Sequence, residues 1–294
     1  MARAVMPMFS ASCGSTRMMT GAAPDMPGLS HGPGECAMPD AGSTETGFWK
    51  TLGSRLEGAP LDAIKLVAAV LMIGDHVDTI LLDGHAVPLW RLGRIAFPLF
   101  CLAAALHLAR GHDPGRYVLT LLLIAVPTQP IYATAFPYGT TEASILVTLA
   151  AGTAFAVWLA KAGAWRHAVL AAGLACVLLL PSLAKTGVDF GLAGVLVPGA
   201  FLLALTGRAG GVAWLVAVIF ALNVHGWHPR GEAPLPSAMF DAATILVGVA
   251  AIVLFAMGLQ GRPRFLPRYA LHAFYPGHLL ALVGLRAAGF AIGS

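Results

Sequence analysis

A chain of 294 residues with 57% hydrophobic and 11% charged residues, and a mean hydropathy of +0.77, is not a soluble globular domain, for which about 25% charged residues is usual. Strands of a membrane barrel would be about 10 residues long with alternating polar and apolar positions, and no such alternation occurs. The net charge of +4 and pI near 9.0 come from basic residues scattered singly between apolar runs, which reads as membrane topology signalling and not as a nucleic-acid surface.

Residues 1–58 are rich in Gly, Pro, Ser and Met and contain no apolar stretch long enough for a signal peptide. They read as a disordered cytoplasmic tail, with an over-extended gene start as the alternative. His31, Cys36 and the methionines there lack the regular spacing of a metal site, and Cys13, Cys36, Cys101 and Cys176 form no close pair.

Residues 59–294 read as the membrane domain, an all-α polytopic bundle of about nine transmembrane helices. A spanning helix needs about 20 apolar residues, and the runs that fit fall at 61–82, 95–110, 117–136, 143–160, 167–182, 188–206, 211–224, 238–260 and 269–291. With the tail in the cytoplasm, Lys50, Arg55, Arg110, Arg116, Lys161, Arg166, Arg208, Arg262, Arg264 and Arg268 lie on the cytoplasmic side. Arg91, Arg94, Lys185 and Arg230 lie opposite. This bias predicts a cytoplasmic N terminus in a bacterial inner membrane, with lipid as the surrounding partner. No internal repeat is visible, which disfavours a transporter built from two related halves.

The first span, LDAIKLVAAVLMIGDHVDTILL, holds Asp75, His76 and Asp78 in its later half. A carboxylate at a helix centre costs roughly 2.5 to 3.5 kcal/mol on insertion scales, so the cluster needs partners or water. At 100° per residue Asp75 and Asp78 share a face, His76 flanks it, and Lys65 lies on the His76 stripe about 16 Å nearer the cytoplasm. The stripe either lines a cavity or marks the helix end at the outer interface. Arg91 and Arg94 come next, three residues apart on one face. They either snorkel to headgroups or turn inward to Asp75 or Asp78. His107, Arg110 and Arg116 bracket the second loop, an interfacial position.

In the third span Pro127 and Pro130 flank Gln129. The prolines remove backbone donors at membrane depth, and Gln129 either bonds a neighbouring helix or belongs to a site. Asp189 opens the sixth span, where the helix dipole favours a carboxylate and capping alone would explain it. The last span carries His272, Tyr275, His278 and Arg286, with Pro276 bending the helix. The first three residues keep to one slowly drifting face, either a site wall or a set of helix–helix hydrogen bonds.

Taken in order, IKLVAAVLMIGDHVD, GRIAFPLF, VPTQPIY, VDFGLAGV and FYPGHLLAL resemble the landmarks of the TraX family of pilin acetylases, from about residue 61 to residue 291. The most specific pieces are the Asp75-His76 pair, the run from Arg94 to Pro98, and Phe274-Tyr275-Pro276 with His278. Ser144 stands where the family pattern leads one to expect Asn, and Thr128 where Ser often precedes the glutamine. The resemblance implies a membrane N-acetyltransferase that uses acetyl-CoA to modify the N-terminal amine of a conjugative pilin. For that chemistry the residues suit His76 as general base, oriented and kept basic by Asp75 or Asp78, with Tyr275 and His278 donating to the carbonyl oxygen and Arg94 paired with an aspartate. Lys65, Arg110, Arg116 and Arg264 would face the coenzyme phosphates, and Gln129 and Asp189 the acceptor. Direct transfer and an acetyl-His76 intermediate are both open. So are a non-enzymatic pilin chaperone, a small-solute or acyl-group transporter, and a different acyl donor or acceptor.

Overall fold

The computed structural model describes residues 51–136, 141–180, 187–224, 235–267 and 269–290. Expectations for the tail up to residue 50, and for Lys185, Arg230 and Arg268, fall outside them. Ten helices are present among the described residues: α1 (Ala59–Leu81), α2 (Val87–Gly93), α3 (Ala96–Ala109), α4 (Pro114–Ala135), α5 (Ile145–Lys161), α6 (Trp165–Leu179), α7 (Gly191–Leu205), α8 (Gly211–Val224), α9 (Leu235–Met257) and α10 (Ala270–Ala287). Each of the nine expected spans has its helix, and the chain is an all-α membrane protein.

Two boundaries differ from expectation in an informative way. The second passage does not begin at residue 95. The short α2 precedes α3, and together they make one helical run, Val87–Ala109, so Arg91 and Arg94 lie within the passage and not ahead of it. The break between the two helices follows from Pro98, which has no N–H to return to the Arg94 carbonyl. Among the described residues, only Val87–Ala109, Pro114–Ala135 and Leu235–Met257 are both long and apolar enough to qualify as spans on composition. α1 has the length, with 23 residues, but Asp62, Lys65, Asp75 and Asp78 all lie in it. The helices α5 to α8 have 17, 15, 15 and 14 residues, short of the usual crossing length.

The bundle is organised around α7 and α3. α7 has no charged side chain and is buried along almost its whole length, between α3, α5, α6 and α8. Its contact with α5 depends on small residues. A Cβ on Gly152 would come within 2.8 Å of the Pro198 ring, and one on Gly194 within 2.9 Å of Thr148 Cγ2. Close backbone approach of this kind is how helices gain van der Waals contact in lipid, where no hydrophobic drive separates them from solvent. The outer helices show the opposite pattern. Leu123 and Val126 on α4, Leu179 on α6, and Val247, Leu254 and Phe255 on α9 are exposed, as a surface solvated by acyl chains requires.

Packing and turn bonds give the bundle two distinct ends. Arg262 O accepts the Ala59 N–H, so the segment after α9 lies at the start of α1. At the other end of α1, Arg94, just after α2, lies over the ring of Phe190, which brings in the beginnings of α5 and α7. Those beginnings are joined by a short parallel bridge, in which Ala143 N–H donates to Gly187 O and Asp189 N–H to Ala143 O.

Substituting Gly152 by Leu is expected to destabilise the α5–α7 contact by about 1–3 kcal/mol. This is read as a lower thermal midpoint of the detergent-solubilised protein, while Val247→Leu on the exposed surface leaves the midpoint unchanged.

Candidate active site

α10 packs against α1 and α4, and this contact brings together two histidines 202 residues apart. His76 Nδ1 and His278 Nε2 lie 2.8 Å apart. Their ring centroids are 5.0 Å apart and their planes are inclined by only 14°, the edge-to-edge arrangement an in-plane N–H···N bond requires. His278 Nδ1 lies 3.0 Å from the Phe274 carbonyl one turn earlier. A carbonyl oxygen only accepts, so His278 Nδ1 carries a proton and, in the neutral ring, Nε2 does not. His76 must then donate through Nδ1, which leaves the lone pair of His76 Nε2 uncommitted within this chain of bonds. Phe136 stands edge-on to His76 at 5.0 Å, and Phe274 lies parallel to His278 at 4.7 Å. His76 itself is 6% exposed.

Beside this pair is a compact set of charges. Arg94 is buried, with its guanidinium 4.6 Å above the Phe190 ring and 5.5 Å from that of Trp90. Its Nη2 donates to the Leu222 carbonyl at 3.5 Å. The charge of Arg94 acts on both Asp75 and Asp189, so one guanidinium serves carboxyls from two parts of the fold. The approach of α2 to Asp75 depends on Gly93, where a Cβ would lie 2.3 Å from Asp75 Cβ. Asp189 is not the helix cap that its position suggested. The N-cap of α7 is Phe190, a non-glycine residue at φ 64°, and no side chain caps the helix. This left-handed turn stacks the Phe190 ring on Phe97 at 4.3 Å and leaves Asp189 beside the site, where its charge also acts on Tyr275. The hydroxyls of Tyr275 and Ser144 are both buried and adjacent.

Other residues have structural partners. Asp78 Oδ1 accepts the Ala86 N–H at 2.6 Å, and its carbonyl accepts the N–H of Gly84 at 3.0 Å, so Asp78 shapes the turn that delivers α2. Arg91 turns to α9 instead of α1, pairing with Asp241 at 3.0 Å and lying over Phe240. Gln129 holds the segment before α5 by its backbone, donating to Glu142 O at 2.9 Å and accepting from Ser144 N at 3.0 Å. His278, with both ring nitrogens engaged, orients His76 and is not free to donate to a substrate oxygen. Of the expected last-helix face, Tyr275 and His278 reach the site, while His272 has Tyr269 as its ring neighbour.

Lys65, Arg110 and Arg264 gather at the opposite end of α1, about 16 Å along the helix from His76. Their charges act on one another. Buried Asp62 organises this end by accepting from Arg264 Nη2 at 3.2 Å and from Phe265 N and Leu266 N at 3.1 Å each. Arg110 Nη2 donates to the carbonyls of Gly53 and Leu56. Arg116 is exposed beside Asp113 and is not drawn into this cluster.

Sequence reasoning overlooked Asp62 and Asp241. Both are aspartates within apolar runs, the same signal that singled out Asp75. Phe190 carried no signal at all: its left-handed backbone follows the Val188–Ala143 bridge by two residues and its ring packs on Phe97, far away in the chain.

A family model described as TraX protein matches residues 60–286. Two Escherichia coli proteins named Protein TraX are similar to this chain. One is 30% identical over 237 residues, 75% of this chain and 85% of that protein. The other, from strain K12, is 33% identical over 238 residues with the same two coverages. No solved structure matches.

The bonding chain from Phe274 O through His278 requires neutral His76 to hold its proton on Nδ1, the less common tautomer in water. Nitrogen NMR of the protein labelled at histidine is expected to show that tautomer for His76, reverting on His278→Ala. An Nε2–H tautomer in the unmodified protein would contradict the assignment.

Proposed function

The chain belongs to the TraX family, and on that premise we propose that it is a membrane-embedded N-acetyltransferase that moves acetyl from acetyl-CoA to the N-terminal amine of a conjugative pilin. The observation that carries this reading is the uncommitted Nε2 of His76, held in place by His278 and the Phe274 carbonyl. An α-amino group with a pKa near 8 is about one-tenth neutral at pH 7, so a positioned base is useful, and a base of this kind contributes roughly 10² to 10⁴ in rate. The donor supplies an already activated acetyl group.

His76 Nε2 takes a proton from the amine as the amine nitrogen bonds to the acetyl carbon. The carbon–sulfur bond breaks, and the same proton returns from His76 to the departing thiolate. The products are an acetylated amine and a free thiol, and His76 regains its starting state. The Tyr275 hydroxyl, beside the histidines, is the donor for the negative charge that develops on the carbonyl oxygen. Arg94, whose charge acts on Asp75 and Asp189, stabilises the two carboxyls beside the histidines. Asp189 sits on the acceptor side of the site, and Gln129 supports that side by holding the backbone from Glu142 to Ser144.

Lys65, Arg110 and Arg264 suit the phosphates of the donor. They form the cationic cluster at the far end of α1, and the Arg264 side chain is 61% exposed even while bonded to Asp62. Their distance from His76 along α1 suits a donor that is bound by its phosphates at one end of the bundle and reacts toward the other. With the basic end in the cytoplasm of a bacterial inner membrane, acetyl-CoA has direct access to it.

Intact-mass measurement of a co-expressed pilin tests the reading. The mass is expected to rise by one acetyl group with the unmodified protein and not with His76→Ala. Full acetylation by that variant would sink the catalytic role, and no acetylation by either protein would favour a chaperone. Lys65→Gln combined with Arg264→Gln is expected to raise the KM for acetyl-CoA more than it lowers kcat, because the substituted groups bind a part of the donor that does not react.

A further inference from the structure

On the outer face of the bundle, α4 and the segment leading into α5 enclose a groove of about 330 Å³. Its walls are apolar, formed by Leu122, Ala125, Val126 and Val147, with Gln129 and Glu142 at one side. Leu122 and Val126 are 38% and 73% exposed, so the groove opens to the surroundings of the bundle, which for this face means lipid.

Glu142 is unusual in this setting. Its backbone carbonyl is held by Gln129, but its half-buried carboxylate has no ion-pair partner among the described residues. Burial raises its proton affinity above the ordinary carboxylate value, a cost that a cation at the groove would relieve. The groove also adjoins the site directly. Glu142 and Ala143 line it, whereas the next residue, Ser144, is buried beside Tyr275. The charge of Glu142 acts on Asp189. A single width of backbone, fixed from the groove side by Gln129 and from the other side by the bridge to Val188, separates the two.

We propose that this groove docks the acceptor, an apolar membrane-embedded helix whose free N-terminal ammonium pairs with Glu142 beside the site. The apolar walls match a helix already dissolved in lipid, and the Glu142 carboxylate distinguishes a chain that begins with a free amine from one whose terminus is blocked. Glu142 is thus a positioning residue that selects unmodified chains, since acetylation removes the charge it recognises and favours product release. The inference rests on the acetyl-transfer reading for the fate of the amine, but docking is measurable without turnover.

The test uses the full-length protein in phospholipid nanodiscs. The probe is a synthetic Ala/Leu helix of about 20 residues with a photoreactive group in its first turn, prepared with either a free or an acetylated N terminus. Peptides cross-linked to the protein are mapped by mass spectrometry. With no acetyl-CoA present, the free-amine probe is expected to label the 122–126 and 141–147 segments about tenfold more than the blocked probe, the factor that about 1.4 kcal/mol of ion pairing supplies. Glu142→Gln should reduce labelling to the level of the blocked probe, Glu142→Asp should restore part of it, and His76→Ala should leave it unchanged. Equal labelling by the two probes of the unmodified protein overturns the proposal, since the groove would then accept any apolar chain, and needs no variant to fold. Full labelling of Glu142→Gln by the free-amine probe overturns it as well. Pilin acetylation that survives His76→Ala defeats the catalytic reading instead and leaves the docking result standing.

Discussion

An ion placed in hydrocarbon must find its counter-charge inside the protein, and the burial of Arg94 is where this constraint bears hardest. Its guanidinium rests on Phe190, bonds the Leu222 carbonyl of α8, and carries a charge that acts on Asp75 of α1 and on Asp189 of the turn before α7. One side chain therefore ties together three parts of the fold, each of which would otherwise carry an unfavourable polar group at depth. The surrounding backbone is shaped to permit this. Gly93 lets α2 touch Asp75, Pro98 separates α2 from α3, and Phe190 adopts a left-handed turn that supplies an aromatic face for the cation.

The histidine pair depends on that framework but works by a different physical rule. Hydrogen bonding between two imidazoles needs one donor and one acceptor, so the protonation pattern of the pair follows from the first fixed point in the chain. Here the fixed point is the Phe274 carbonyl, and orientation passes from it through His278 to His76. The aromatic rings of Phe136 and Phe274 wall the pair in. A base in this environment is ordered by its neighbours before any substrate arrives, which lowers the reorganisation needed in a reaction.

The two ends of α1 divide the labour of the molecule. At one end Asp62 gathers Arg264 and the backbone of the following residues, with Lys65 and Arg110 close by. At the other end the turn organised by Asp78 leads into α2 and the charged cluster. Two aspartates in one helix thus perform the same kind of task, satisfying backbone N–H groups and fixing a neighbouring segment, while Asp75 between them lies in the field of the Arg94 charge. This difference in role is invisible in the residue type.

The pattern of apolar runs by itself determined that this chain is a helical membrane protein, and each of its nine runs coincides with a helix, because hydrophobic length decides which segments can cross a bilayer. The placement of Asp75, His76, Arg94, Tyr275 and His278 within or beside those runs also marked them, because each carries an insertion cost that only a partner can offset. What the order of residues left open was the choice of partner. His76 meets His278 across 202 positions and Asp62 meets Arg264 across the same separation. Arg91 goes to Asp241 and not to α1, Gln129 goes to backbone, and Arg116 stays outside the basic cluster. Those choices depend on the rotation of each helix about its own axis and on which helices become neighbours. Both are settled by close contacts at residues such as Gly93, Gly152 and Gly194, between segments far apart in the chain, and only the tertiary structure brings those contacts into being.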